Sequence, residues 1–180
     1  MRTWQLQFPE NSLTISVNLS GKHFLQTDLI EQISQILQET GLEACSLKLE
    51  ITESAIMENT ESATAMLLQL RNLGIELHMD DFGTGYSSLN YLHRFPVNVL
   101  KIDRSFISKM DISSKNLEIV RAIITLAHNL SINVTAEGLE TAEQLAQLRA
   151  LQCRYGQGYF FFKPANQEAA GALIAKSLQW

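Results

Sequence analysis

The 180-residue chain predicts an α/β fold with a parallel sheet, and two observations support that prediction. Short runs rich in Val, Ile and Leu alternate with longer stretches whose apolar residues recur every three or four positions. Strands that alternate with helices form parallel sheets through right-handed crossovers. A polar residue then closes nearly every apolar run, where strand gives way to loop. A doubly wound open sheet and a (β/α) barrel both fit this alternation. No Gly-x-Gly-x-x-Gly follows the first strand, which weighs against a dinucleotide-binding sheet.

The first strand is expected over residues 13–19, preceded by a helix end and turn that hold Trp4 and Phe8. Leu25, Leu29, Ile33, Ile36 and Leu37 follow at helical spacing and stop at Gly41. The second strand falls at 47–51. A helix over 62–73 comes next, with Asn59 or Thr60 to cap its start and Gly74 to end it. The third strand covers 75–80 and runs into a glycine-bearing loop, Asp81-Phe82-Gly83-Thr84-Gly85-Tyr86, with a short helix near 87–93. A fourth strand (99–102), a long helix (116–130) and a fifth strand (132–136) follow. Thr141-Ala142-Glu143-Gln144 reads as a capping box before Leu145, Leu148 and Leu151. A sixth strand near 155–161 and a last helix over 167–178 close the chain.

Composition narrows the function. Hydrophobic residues make up 46% of the chain, enough for one domain with its own core, and no linker or repeat divides it. Net charge is −5, from 14 Lys and Arg against 19 Asp and Glu, with no basic run; this argues against a nucleic-acid polymer as partner. No apolar run reaches the roughly 18 residues of a membrane span, and Met1 to Gln5 open no signal peptide, so the cytoplasm is the expected compartment. Cys45 and Cys153 read as two buried thiols in a reducing cytosol. His23, His78, His93 and His128 show no metal-ligand spacing and read as structural or exposed. Ser20, Ser54 and Ser105 lack suggestive His and Asp partners, which makes a serine nucleophile a poor fit.

Parity locates the chemistry. Side chains alternate faces along a strand. Ile15, Val17 and Leu19 oppose Asn18; Leu47, Leu49 and Ile51 oppose Glu50; Ile75, Leu77 and Met79 oppose Asp80. Leu100 and Ile102 oppose Lys101, and Ile132, Val134 and Ala136 oppose Glu137. The aliphatic faces would pack under helices. The other faces would point into a barrel and bring Asn18, Glu50, Asp80, Lys101 and Glu137 to its C-terminal mouth, where barrel active sites are built.

Glu50, Asp80, Asp81 and Glu137 cannot all stay ionised side by side without neutralising charge. One lysine is not enough, and oxygen ligands of this kind suit Mg²⁺ or Mn²⁺. More ligands than one ion needs suggest two ions bridged by an Asp, the arrangement that activates water against a phosphate ester.

Six segments then resemble, in order, those of EAL domains: Val17-Asn18-Leu19-Ser20, Leu49-Glu50-Ile51-Thr52-Glu53-Ser54, the run from Asp80 through Gly83, Gly85 and Tyr86 to Leu89, Lys101-Ile102-Asp103-Arg104-Ser105-Phe106-Ile107, Ala136-Glu137-Gly138-Leu139-Glu140-Thr141, and Gln157-Gly158-Tyr159. The resemblance covers essentially the whole chain and implies a TIM-type (β/α) barrel that hydrolyses cyclic di-GMP to linear pGpG with two Mg²⁺ or Mn²⁺ ions. It implies that Asn18, Glu50 and Asp80 hold the first metal and that Asp80, Asp81 and Glu137 hold the second. Lys101 would orient or activate the attacking water. Gln157 and Asp103 would contact substrate. Glu53 would anchor the loop of Gly83 and Gly85, and Glu140 is a further acidic position. Phe160-Phe161-Phe162-Lys163-Pro164 departs from the family's usual Leu-Phe-Ser stretch, and the Phe residues read as packing.

A barrel of this class needs about 250 residues. The chain therefore reads as one domain, the C-terminal three-quarters of an EAL domain over residues 1–180, with about six of eight strand–helix units and without the Glu-Ala-Leu motif. That predicts weak or no activity for the chain alone, open sheet edges that favour a homodimer, and upstream sensor or cyclase domains in a parent protein. The alternatives are a non-catalytic module that binds cyclic di-GMP or a protein partner, and an unrelated barrel acting on another phosphate ester.

Overall fold

The computed structural model describes residues 1–58, 60–85 and 92–176. Its frame is a parallel sheet of β1 (Ile15–Asn18), β2 (Leu47–Thr52), β3 (Glu76–Phe82), β4 (Val99–Ile102), β5 (Asn133–Glu137) and β6 (Tyr155–Gln157). The six strands lie in sequence order, each hydrogen-bonded to the next, as expected when every crossover has the same hand. This is six units of a (β/α) barrel.

Helix α1 (Arg2–Gln7) precedes β1; α2 (Leu29–Thr40), α3 (Glu53–Met57), α4 (Thr60–Asn72), α5 (Arg104–Ile107), α6 (Ser114–Asn129) and α7 (Ala142–Ala150) lie in crossovers; and α8 (Gln167–Ala175) follows β6. The capping box at the start of α7 forms: the Thr141 hydroxyl accepts from the Gln144 amide, and the Gln144 carboxamide accepts from the Thr141 and Glu140 amides. Trp4 lies in α1 and Phe8 caps its end. Gln144 also donates its amide to the Ile107 carbonyl, which ties α7 to α5.

The core lies between sheet and helices. Ile51, Leu67, Leu70, Leu77, Leu100, Ile102 and Ile124 are fully buried there. Each contributes about 1.5–3 kcal/mol by leaving water. They include the aliphatic face that parity selected on the central strands.

Four expectations are corrected. Ile15 and Val17 remain 37% and 45% exposed, because β1 is an outer strand paired on one side only. Cys45 is exposed rather than buried, while Cys153 is half-buried. The sixth strand ends at Gln157, since the backbone from Gly158 turns back to receive the Phe161 and Phe162 amides. Phe160 and Phe161 pack against the core, but Phe162 is exposed. The short helix expected near 87–93 and the cap at Asn59 fall largely on residues outside the described ones.

Candidate active site

Asn18, Glu137 and Gln157 end their strands, and Glu50, Asp80 and Lys101 stand within two residues of the C-terminal ends of theirs. Register aligns them: Asn18 pairs with Glu50, and Glu137 with Gln157. The hub is Lys101 on β4. Its Nζ lies 2.6 Å from Glu50 Oε2, 2.7 Å from Glu137 Oε1 and 3.1 Å from Asp80 Oδ1. Lys101 is only 3% exposed. Burial opposes its charge, but the hydrogen bonds it donates to Glu137 and Glu50 and the fields of Glu137 and Asp80 outweigh it, so its pKa is raised above the ordinary lysine value.

Strict alternation would turn Asp81 away from Asp80. A β-bulge prevents this. Met79 pairs with Leu100 and Phe82 with Ile102, so Asp80 and Asp81 together oppose the single residue Lys101. Asp81 takes a left-handed conformation at φ 55, which Asp tolerates better than most residues. Its amide donates to Asp80 Oδ1 at 3.0 Å. The result is a trio: carboxylate oxygens of Asp80, Asp81 and Glu137 lie within 4.8 Å of one another.

Burial and the neighbouring Asp80 push the Asp81 carboxyl above its ordinary pKa. Burial likewise raises Glu137, offset in part by Lys101. Crowded carboxylates that resist ionisation are relieved by a cation, and an all-oxygen donor set fits a hard divalent ion. Asp80, Asp81 and Glu137 therefore fit one such ion.

The loop after the bulge is tied down from α3. Glu53, 5% exposed, accepts the Gly83 amide on Oε2 at 3.2 Å. Gly83 adopts φ +95 in front of the Phe106 ring, where a Cβ would come within 2.9 Å of ring carbon Cε2. A Cβ on Gly85 would stand 3.4 Å from Glu53 Oε1, so this glycine lies directly against the anchor. Thr84 closes the turn by donating its hydroxyl to the Asp81 carbonyl at 2.8 Å.

Asp103 caps α5, with Oδ1 accepting the Ser105 amide at 2.9 Å. Burial alone would raise its pKa, but hydrogen bonds from Ser105 and Arg104 hold it below the ordinary value. Gln157 is exposed at the end of β6, and Glu140 is exposed beyond β5.

A cavity of about 230 Å³ runs along the concave face beneath this rim, lined in part by Lys48, Glu50, Glu76, His78, Lys101 and Gln157. His78 is 5% exposed, a structural histidine that lines this face two residues before Asp80. Burial pushes its imidazole below the ordinary histidine pKa, with partial compensation from Glu76. Its Nε2 is 3.3 Å from Glu76 Oε1 without hydrogen-bond alignment. The same alternation that selected Asp80 places His78 beside it.

The EAL domain profile matches residues 1–164. The chain belongs to the EAL family. It is 45% identical over 152 residues to the cyclic di-GMP phosphodiesterase NbdA of Pseudomonas aeruginosa, a match that covers 84% of this chain and 19% of NbdA. Among solved structures it resembles the PaMucR phosphodiesterase in complex with c-di-GMP, at 38% identity and TM-score 0.89, covering 94% of this chain and 68% of that one. It also resembles the manganese and cyclic di-GMP complex of Klebsiella pneumoniae BlrP1, at 29% identity and TM-score 0.80, covering 88% of this chain and 41% of that one. The EAL chain thus spans about a fifth of the length of the first curated relatives it matches. Among the described residues no helix is long and apolar enough to cross a membrane.

Proposed function

We propose that this EAL chain, as one domain of a larger signalling protein, hydrolyses cyclic di-GMP to pGpG by two-metal-ion catalysis with Mg²⁺ or Mn²⁺, and that the isolated chain is weakly active or inactive. The observation that carries the reading is the convergence of Asp80, Asp81 and Glu137 beside Lys101. Asn18, Glu50 and Asp80 would hold one ion, and Asp80, Asp81 and Glu137 the other. Bound there, the ions neutralise phosphate charge and make water a nucleophile near neutral pH.

The chain's own residues supply orientation. Lys101 would turn one N–H from its carboxylate partners to the attacking water and orient it in line with the scissile P–O3′ bond. Water gives up a proton as its oxygen joins phosphorus, the bond to the ribose 3′ oxygen breaks, and that oxygen takes up a proton. Gln157 and Asp103 stand at the rim to meet the substrate, and Glu53 keeps the loop of Gly83 and Gly85 against the metal ligands. Names of relatives support the substrate, and their greater length supports further domains around this one.

The test is chromatography of cyclic di-GMP incubated with the chain and Mn²⁺. Metal-dependent pGpG that vanishes in Asp80→Asn supports the proposal. Metal-dependent binding of cyclic di-GMP with no product supports the second reading, a non-catalytic receptor. The outer strands β1 and β6, exposed at every residue, favour self-association through their edges, and light scattering that gives a monomer mass contradicts that part.

A further inference from the structure

The loops that follow β5 and β6 meet backbone to backbone above the site. Leu139 is fully buried. Its amide donates to the Gln157 carbonyl at 3.0 Å, and its carbonyl accepts the Phe160 amide at 2.9 Å. Gly158 lies between those two bonds. A Cβ there would overlap both the nitrogen and the oxygen of Leu139. Such an approach is open only to glycine, and it extends the ladder that aligns Glu137 with Gln157.

A second close approach secures the other side. Gly138, at φ +72, puts its Cα against Arg104, where a Cβ would stand 2.5 Å from the Arg104 Cβ. Arg104 opens α5 directly after β4, the strand of Lys101. Glu137 is thus followed at once by two residues that are gripped from both neighbouring strands.

We propose that Gly158 and Leu139 form a latch that positions Glu137 and Gln157 against Lys101. They are positioning residues and touch neither metal nor substrate. The proposal rests on the functional reading only in taking Glu137 as a metal ligand. A side chain at position 158 forces β6 away from Leu139 and breaks the Leu139–Gln157 bond. The strain passes through Gly138 to the Glu137 carboxylate, 2.7 Å from Lys101 Nζ.

The test compares Gly158→Ala with Gly156→Ala in the whole chain. A Cβ at 156 would meet first the Leu139 side chain and the Phe161 ring, both at 3.3 Å, where one at 158 meets the Leu139 backbone. Two readouts are taken: Mn²⁺ affinity by the EPR signal of free Mn²⁺, and the NMR resonance of the Lys101 ammonium without metal. Gly158→Ala is expected to lose about tenfold or more in Mn²⁺ affinity and to lose or shift the ammonium resonance. Gly156→Ala should stay within about twofold and keep the resonance, even at an equal drop in melting temperature. Equal effects of the two variants, or parent-like affinity and resonance in Gly158→Ala, overturn the latch. If the parent chain takes up no Mn²⁺, the functional reading fails and the ammonium resonance alone decides the latch. If Gly158→Ala does not fold, Leu139→Val, which keeps the backbone contact, must retain both readouts; loss of either overturns it.

Discussion

Lys101 Nζ and Glu137 Oε1 stand 2.7 Å apart on adjacent strands, and Glu50 and Asp80 share the same ammonium. One buried cation therefore holds three carboxylates in place. Removing it leaves them facing each other at low solvent exposure, a change that costs on the order of 3 kcal/mol. Lys101→Met should lower the stability of the metal-free chain by about that amount in urea unfolding. Added Mn²⁺ should restore part of the loss, because a divalent ion replaces the missing charge. Stability unchanged by the substitution would contradict the pairing.

The lysine also sets an alkaline limit. Its folded pKa is raised above the unfolded value of about 10.4, so the folded state keeps a proton that the unfolded chain releases. The stabilisation is fully present below that unfolded value and is lost as pH rises from there through the folded pKa. Unfolding free energy should fall from about pH 10.4 upward, and Lys101→Met should flatten that slope.

At acidic pH the carboxylates dominate. Asp81 and Glu137 are raised above their ordinary values, chiefly by burial. The folded state binds these protons more tightly than the unfolded chain. Their contribution to metal-free stability is therefore favourable at low pH and diminishes as pH rises past about 4. Metal binding runs the other way, since both must be deprotonated to act as ligands. Mn²⁺ affinity should climb as pH rises through the range just above 4, and calorimetry should detect protons released on binding.

Asp81 separates function from stability. Asp81→Asn keeps a residue that accepts φ 55 and relieves repulsion from Asp80. Stability should change by no more than about 0.5 kcal/mol, or rise, while Mn²⁺ affinity falls by about tenfold or more. A variant that loses stability but keeps its metal would place Asp81 outside the site.

The Glu53 anchor predicts a different signature. Glu53→Ala strips the Gly83 amide of its acceptor, at a cost of about 1–3 kcal/mol. Because the loop continues directly from Asp80 and Asp81, Mn²⁺ affinity should drop as well. Glu53→Gln retains an acceptor and should recover most of both, as read by thermal melts and EPR.

Much of this architecture was legible because strands alternate strictly. Parity alone put Asn18, Glu50, Asp80, Lys101 and Glu137 on one face, and the strand ends carry them there. Parity also failed where the backbone departs from regular pleating. The bulge at Asp80 and Asp81 turns on one extra residue, which no alternation pattern reveals; the paired aspartates before Phe82-Gly83 were its only trace. The helices α3 and α5 span five and four residues, too short for a 3.6-residue period to show. Ile15 and Val17 look like core residues, and only their place on an outer strand leaves them exposed. His78 shares the parity of Asp80, and its burial agrees with the structural half of the reading given to the histidines.

The most direct test of the central claim is product analysis of cyclic di-GMP after incubation with this EAL chain, saturated with Mn²⁺, beside Asp80→Asn. pGpG is expected, even if slowly formed, only when the metal is present and only from the parent chain. pGpG formed without metal, or formed equally by Asp80→Asn, would contradict it, as would intact cyclic di-GMP left both by the metal-loaded chain and by the larger protein that carries it.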